Sequence, residues 1–131
     1  LGLINNEEGD LKLAHDLLVI MHQHEYDYTN TFRALSEQQS TLNLSHKGAK
    51  DWLDSWQARV MRQPVSLQAS LALMCQKNPA LIPRNHHVDK ALRDAVNNAD
   101  LSSFKRCLQA YQSPYETNSE FADLQQSPPV Q

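Results

Sequence analysis

The chain has 131 residues, 40% of them hydrophobic, with three glycines, a net charge of −3 and a mean hydropathy of −0.59. That is one domain's worth of chain, and two full cores would be a stretch. The few glycines leave no Gly-rich phosphate loop, and the Leu-, Ala- and Gln-rich, β-branch-poor composition favours helices over a sandwich or barrel.

Asp10 is placed to cap a first helix carrying Leu11, Ala14, Leu17, Leu18 and Met21 on one stripe, ending between His24 and Tyr26. Asp27 is placed to cap a second, with Tyr28, Thr31, Phe32 and Leu35 on one side. Residues 36–47 are polar and read as a loop, tacked to the core by Leu42 and Leu44. A third helix follows Gly48: Ala49, Trp52, Leu53, Trp56 and Val60 recur with the cleanest helical period in the chain, and Pro64 ends it. Ser66 is expected to cap a fourth helix with Ala69, Leu73 and Met74 inward. Asn78-Pro79 stops it, because the residue before proline is pushed out of the α region.

After a short connector with Pro83, Asn85 is the expected cap of a fifth helix with Val88, Ala91, Leu92, Ala95 and Val96 inward. The turn Asn97–Asp100 leads to a sixth, with Leu101, Phe104, Cys107, Leu108 and Tyr111 facing in. Two helices joined by so short a turn read as an antiparallel hairpin. From Ser113 the chain holds Pro114, Pro128 and Pro129 and no helical period. It reads as an extended tail fastened by Tyr115, Phe121 and Leu124. The expected fold is therefore all-α: about six short helices, a C-terminal helical hairpin and an extended Pro-containing tail. The expected division is a helical region over residues 1–112 and an acidic tail over 113–131.

Charge is unevenly placed. All 12 Lys and Arg precede residue 113 and are balanced there by 12 acids, whereas the last 19 residues hold three acids and no base. This excludes a basic stripe for nucleic acid. No run of 18 apolar residues exists to span a membrane, and residues 1–8 lack the basic flank and apolar stretch of a signal peptide. With no initiator Met, the sequence reads as a piece or a processed product. Cys75 and Cys107 form no framework and read as reduced cytosolic thiols.

Candidate chemistry is sparse. His22 and His24 are two apart and His86-His87 adjacent, so each pair diverges on a helix, and neither cysteine lies in a C-x-x-C. The histidines read as solvated or helix-end groups. Cys75 and Cys107 fall on apolar helix faces and read as inert thiols, not Cys–His nucleophiles. Asp51/Asp54 and Asp16/Glu25 read as solvated faces. Trp52 and Trp56, at i and i+4, read as core and not as a stacking platform. Two polar clusters remain, Asp27-Tyr28-Thr29-x-Thr31-Phe32-Arg33 and the Pro-locked elbow Asn78-Pro79-x-x-x-Pro83-Arg84-Asn85. Arg84 is placed to reach a carboxylate or the carbonyls ending the fourth helix, a structural use in preference to ligand contact. No catalytic, cofactor-binding or metal-ligating residue is assigned, and no solenoid repeat is found.

The same clusters carry a resemblance. Leu1-Gly2-Leu3, Asp27-Tyr28-Thr29 with Phe32-Arg33-x-Leu35, Asp51-Trp52, Asn78-Pro79 with Arg84-Asn85, the Ala91–Phe104 hairpin, Pro114-Tyr115 and Pro128-Pro129 follow the order and approximate spacing of the C-terminal part of the selenoprotein O (SelO/YdiU) family. The resemblance covers essentially all 131 residues; no single motif is very specific, but their order is. It implies membership in a kinase-like pseudokinase that binds ATP in a flipped orientation and, with magnesium, transfers AMP to Ser, Thr or Tyr hydroxyls of proteins. The family's nucleotide lysine, glycine-rich region, catalytic-loop aspartate and metal ligands lie upstream of the matching segment, so none is carried over. Many members end in a redox-active Cys or selenocysteine that has no counterpart here.

The expected function is therefore that of an accessory C-terminal helical region of a protein adenylyltransferase, itself inactive and without cofactor. ATP and magnesium belong to the full-length protein. Its expected partners are the upstream kinase-like lobe and protein substrates, with no nucleic acid and no membrane, in the cytoplasm. The alternative is a free-standing helical interaction module.

Overall fold

The computed structural model describes residues 1–38 and 46–128. The expectation for Leu42 and Leu44, and for Pro129, lies outside them. The described residues are all-α: six helices, then a 3-10 segment. They are α1 (Asp10–Gln23), α2 (Tyr28–Glu37), α3 (Lys47–Met61), α4 (Leu67–Lys77), α5 (Asn85–Asn98) and α6 (Ser102–Tyr111), followed by the 3-10 helix Ser119–Gln125. None is long and apolar enough to cross a membrane. The chain forms two compact units, Leu1–Asn78 and Pro79–Gln131.

In the first unit α1 packs on α3, α2 on α4, and α3 on α4. Two caps are as expected: Asp27 accepts from Asn30 N–H and Ser66 from Ala69 N–H, each satisfying a first-turn donor. At α1 the cap is Gly9, and Asp10 is the first helical residue, its carboxylate accepting from Glu7 N–H at 2.9 Å. The core is Leu17, Met21, Leu35, Trp52, Trp56, Val60 and Met74. Ala69 is exposed and Ser70 takes the inward position on α4. Gly2 is required where it stands. Its φ is +73°, and a Cβ there would come within 2.9 Å of the Met74 side chain and 3.2 Å of the Ser70 carbonyl.

The second unit is the α5–α6 hairpin plus the chain that follows. Ala99, at φ 51°, closes α5 in the left-handed region, so the connection is shorter than the Asn97–Asp100 turn expected. Ala80 and Leu81 N–H both donate to the Pro114 carbonyl, joining the chain before α5 to the chain just after α6. The core is Leu81, Ala91, Cys107, Ala110, Phe121 and Leu124. Residues 119–125, expected to be extended, wind into a 3-10 turn. Asn118 caps it through Glu120 N–H, and Arg106 grips it with a fork on Asp123 and a bond to the Glu120 carbonyl. Phe121 and Leu124 are buried as expected, whereas Tyr115 is half exposed. Leu92, Val96, Leu101, Phe104 and Leu108, all expected inward, are exposed, because the helices meet through Ala91, Cys107 and Ala110.

Candidate functional site

The start of α2 and the end of α4 form one polar cluster. Thr31 Oγ1 donates to the Asp27 carbonyl at 2.6 Å, and Ser36 Oγ to the Phe32 carbonyl at 2.8 Å. Arg33 pairs through Nε with Glu37 at 2.6 Å and donates through Nη1 to the carbonyls of Cys75 and Asn78, both at 3.0 Å. Asn78 Nδ2 donates to Ser36 Oγ at 2.9 Å. The unsatisfied carbonyls that every helix leaves at its C-terminus are thus met, for α4, by Arg33. That role was expected of Arg84. Arg33 takes it because α2 packs along α4, a contact spanning more than 40 residues of sequence.

Arg84 instead caps α5 by its backbone and is buried in the second unit. Asn85, the expected cap, is the first residue inside the helix and makes no capping bond. Beyond it the His86 and His87 rings lie 3.8 Å apart. Burial, then the neighbouring His86, pulls the His87 imidazole below its ordinary value; a backbone bond with Gln126 and the Asp123 charge oppose this. Burial, then Cys107, pushes the Tyr111 phenol up.

A third cluster was not foreseen. Arg59, 3% exposed, forks onto both Asp10 oxygens at 2.6 and 2.9 Å and donates to the Asn5 carbonyl at 2.8 Å. Arg62 holds Glu7 at 2.7 Å. The Arg59 bond, then a backbone bond from Glu7, holds the Asp10 carboxyl below its usual range; Glu7 is held down chiefly by Arg62. The signal was present: Arg59 falls at the helical spacing of Trp52, Trp56 and Val60, and a cation on an apolar stripe requires a buried partner. The Arg33 and Arg59 clusters tie distant chain segments together, and their charged groups are engaged with protein.

The other candidates disperse. The Trp52 and Trp56 rings stack at 6.2 Å in the core, and their N–H groups donate to the Leu13 and Leu1 carbonyls. Cys75 and Cys107 are both free, one in each unit; Cys75 Sγ lies 3.6 Å from the Ser36 carbonyl. His22 is exposed, while His24 stacks on His46 at 3.6 Å and Tyr26 Oη bonds His46 Nδ1 at 3.0 Å. Asp16 pairs with Lys12 and, with Asp51, borders an open groove of about 360 Å³ between α1 and α3, floored by Leu13, Ile20 and Trp52. Glu25 and Asp54 are exposed elsewhere. No group of three His, Cys, Asp or Glu suited to a metal ion occurs among the described residues.

Comparison with known proteins is far more specific than this geometry. The sequence matches the family described as "Protein adenylyltransferase SelO" over residues 1–112. It is 42% identical over 132 residues to a "Protein nucleotidyltransferase YdiU" of Bacillus mycoides, covering 99% of this chain and 27% of that protein. The same description applies to relatives from Jannaschia sp., at 42% identity, and Geobacillus kaustophilus, at 40%, each covered to 27%. The chain thus spans about a quarter of the length of the curated relatives it matches.

Proposed function

We propose, from the fact that this chain belongs to the SelO family of protein adenylyltransferases, that it is the C-terminal helical region of a longer enzyme that moves AMP from ATP to protein hydroxyls. In this reading the region carries none of the reacting groups. It buttresses the kinase-like lobe that does, or presents a face to protein substrates. The observation that supports it is the pairing of near-complete coverage of this chain with 27% coverage of its relatives.

ATP and magnesium are the family's implied partners, and the described residues do not fit them. Gly2 is pressed against Met74 and Ser70, and Gly9 and Gly48 stand singly. The caps of α2 and α4 each take up one of the first-turn N–H groups that would face a phosphate, those of Asn30 and Ala69. No step of the transfer is therefore routed through these side chains, and nucleotide and metal are assigned to the rest of the protein.

The test pairs two preparations, the isolated 131 residues and the protein encoded by the complete reading frame. Each is incubated with ATP, magnesium and a protein acceptor. Labelled AMP on the acceptor is expected from the complete protein alone. Transfer by the isolated chain would overturn the reading. A reading frame with no kinase-like segment would favour the free-standing module.

A further inference from the structure

The α5–α6 hairpin is built with its small side chains inward and its large ones outward. Where the two helices meet, the buried positions are Ala91, Cys107 and Ala110. Outward stand Leu92 and Val96 on α5, at 47% and 81% exposure, and Leu101, Phe104 and Leu108 along α6. Leu92 and Val96 are one turn apart, and with Asp89, Arg93 and Asn97 they line an open depression on the helix surface. Leu101, Phe104 and Leu108, at i, i+3 and i+7, form one stripe on α6.

Single exposed apolar residues need no explanation, but two helical stripes in a unit of about fifty residues do. Among the described residues the unit's buried core contains three large apolar side chains, Leu81, Phe121 and Leu124, fewer than the large apolar groups these residues expose. Part of the polar surface of the same helices is engaged within the unit. Asp94 holds Lys90 and accepts from Ser103, and Arg106 holds Asp123. What these helices lack is a cover for their apolar flanks.

We infer that Leu92, Val96, Leu101, Phe104 and Leu108 are a docking surface for chain of the same polypeptide lying outside residues 1–131. The inference rests on the proposed function, since it requires the longer protein. The occupant follows from the comparisons: relatives about 40% identical across these residues carry nearly three-quarters of their length elsewhere. An intramolecular cover is also held at high effective concentration, so it needs no extensive interface of its own.

Two measurements on the complete protein test this. Hydroxyl-radical footprinting, corrected for each residue's intrinsic reactivity, should show the five side chains reacting no faster than the buried Leu81 and Phe121. Reaction several-fold faster would show the surface bare and overturn the inference. A photo-crosslinking amino acid in place of Val96 should then form intramolecular links to residues outside 1–131. Links to residues 1–78, or between two copies, would equally overturn it. A complete protein with a kinase-like segment but a bare hairpin defeats this inference alone, whereas a reading frame without that segment defeats the proposed function first.

Discussion

The two units solve the same problem, a core from few residues, in opposite ways. Residues 1–78 close large side chains on one another where their helices meet, Trp52, Trp56, Met21, Met74 and three smaller aliphatics, although Leu11, Tyr28 and Met61 stay exposed. Residues from Pro79 onward put alanine and cysteine where the helices meet, and bury their large groups, Leu81, Phe121 and Leu124, on the chain either side of the hairpin. Burying a large side chain contributes about 1.5–3 kcal/mol, so the first unit is stabilised by its own contacts. The second gains close helix approach at the cost of apolar burial. The difference separates a region that holds itself together from one shaped to be covered.

The largest expected effect breaks the first side of that comparison. Trp56 is 1% exposed, stacked on Trp52 and bonded to the Leu1 carbonyl. Trp56→Ala should destabilise the 131-residue chain by about 3–5 kcal/mol, read from denaturant unfolding followed by far-UV circular dichroism. A loss under about 1 kcal/mol would mean that the first core is not the closed structure described.

The second side is tested by adding volume. Ala110 is 3% exposed at the α5–α6 contact. Ala110→Leu should force the helices apart and cost about 1–3 kcal/mol. Leu108→Gln, two positions away but outward, should change the stability of the isolated chain by no more than about 0.5 kcal/mol. If the two substitutions had equal effects, small-in and large-out would be the wrong description of the hairpin.

Helix ends give a smaller contrast between the units. Asp27→Ala removes the bond to Asn30 N–H and should cost about 0.5–2 kcal/mol. Asn85→Ala should fall within about 0.5 kcal/mol of zero, since the backbone at Arg84, not the Asn85 side chain, starts α5. Thermal melts of the two variants side by side settle the assignment.

These cases also mark what could be read from the residues. Asp27 and Ser66 were legible because a cap acts on a backbone N–H three residues away, and the third helix because its period repeats over three turns. The apolar stripes of α5 and α6 were legible as stripes. Periodicity shows that a flank is apolar but not which chain covers it, so Leu92, Val96, Phe104 and Leu108 were placed inside. The Arg33 and Arg59 contacts span more than 40 residues and depend on which helices become neighbours, which no local pattern encodes. Arg33 stood out only as part of a polar cluster, and Arg59 left a trace as a cation on an apolar stripe. The family was legible from ordered motifs, and in the structure Asp27 and Arg33, which belong to them, serve capping and packing.

The smallest expected effect is in mild acid, and it falls on the two units at different pH. In the second unit His87 is held below its ordinary value of 6.5, so the unfolded chain binds its proton more readily than the folded one. The stability this gives is full above pH 6.5 and is lost as pH falls through the lowered folded value. In the first unit Asp10 and Glu7 are held below their ordinary values of 3.8 and 4.5, so their contribution stays intact until pH drops under that range. Between pH 6.5 and 5, amide protection, taken relative to the intrinsic exchange rate at each pH, should therefore fall in α5 and the 3-10 segment before it falls in α1 and α3. His87→Gln keeps a polar side chain but cannot be protonated, and should abolish the early loss while leaving the carboxylate-dependent loss below pH 4.5 in place. A simultaneous fall in protection of all four elements in the parent chain would place the acid-sensitive group elsewhere than His87.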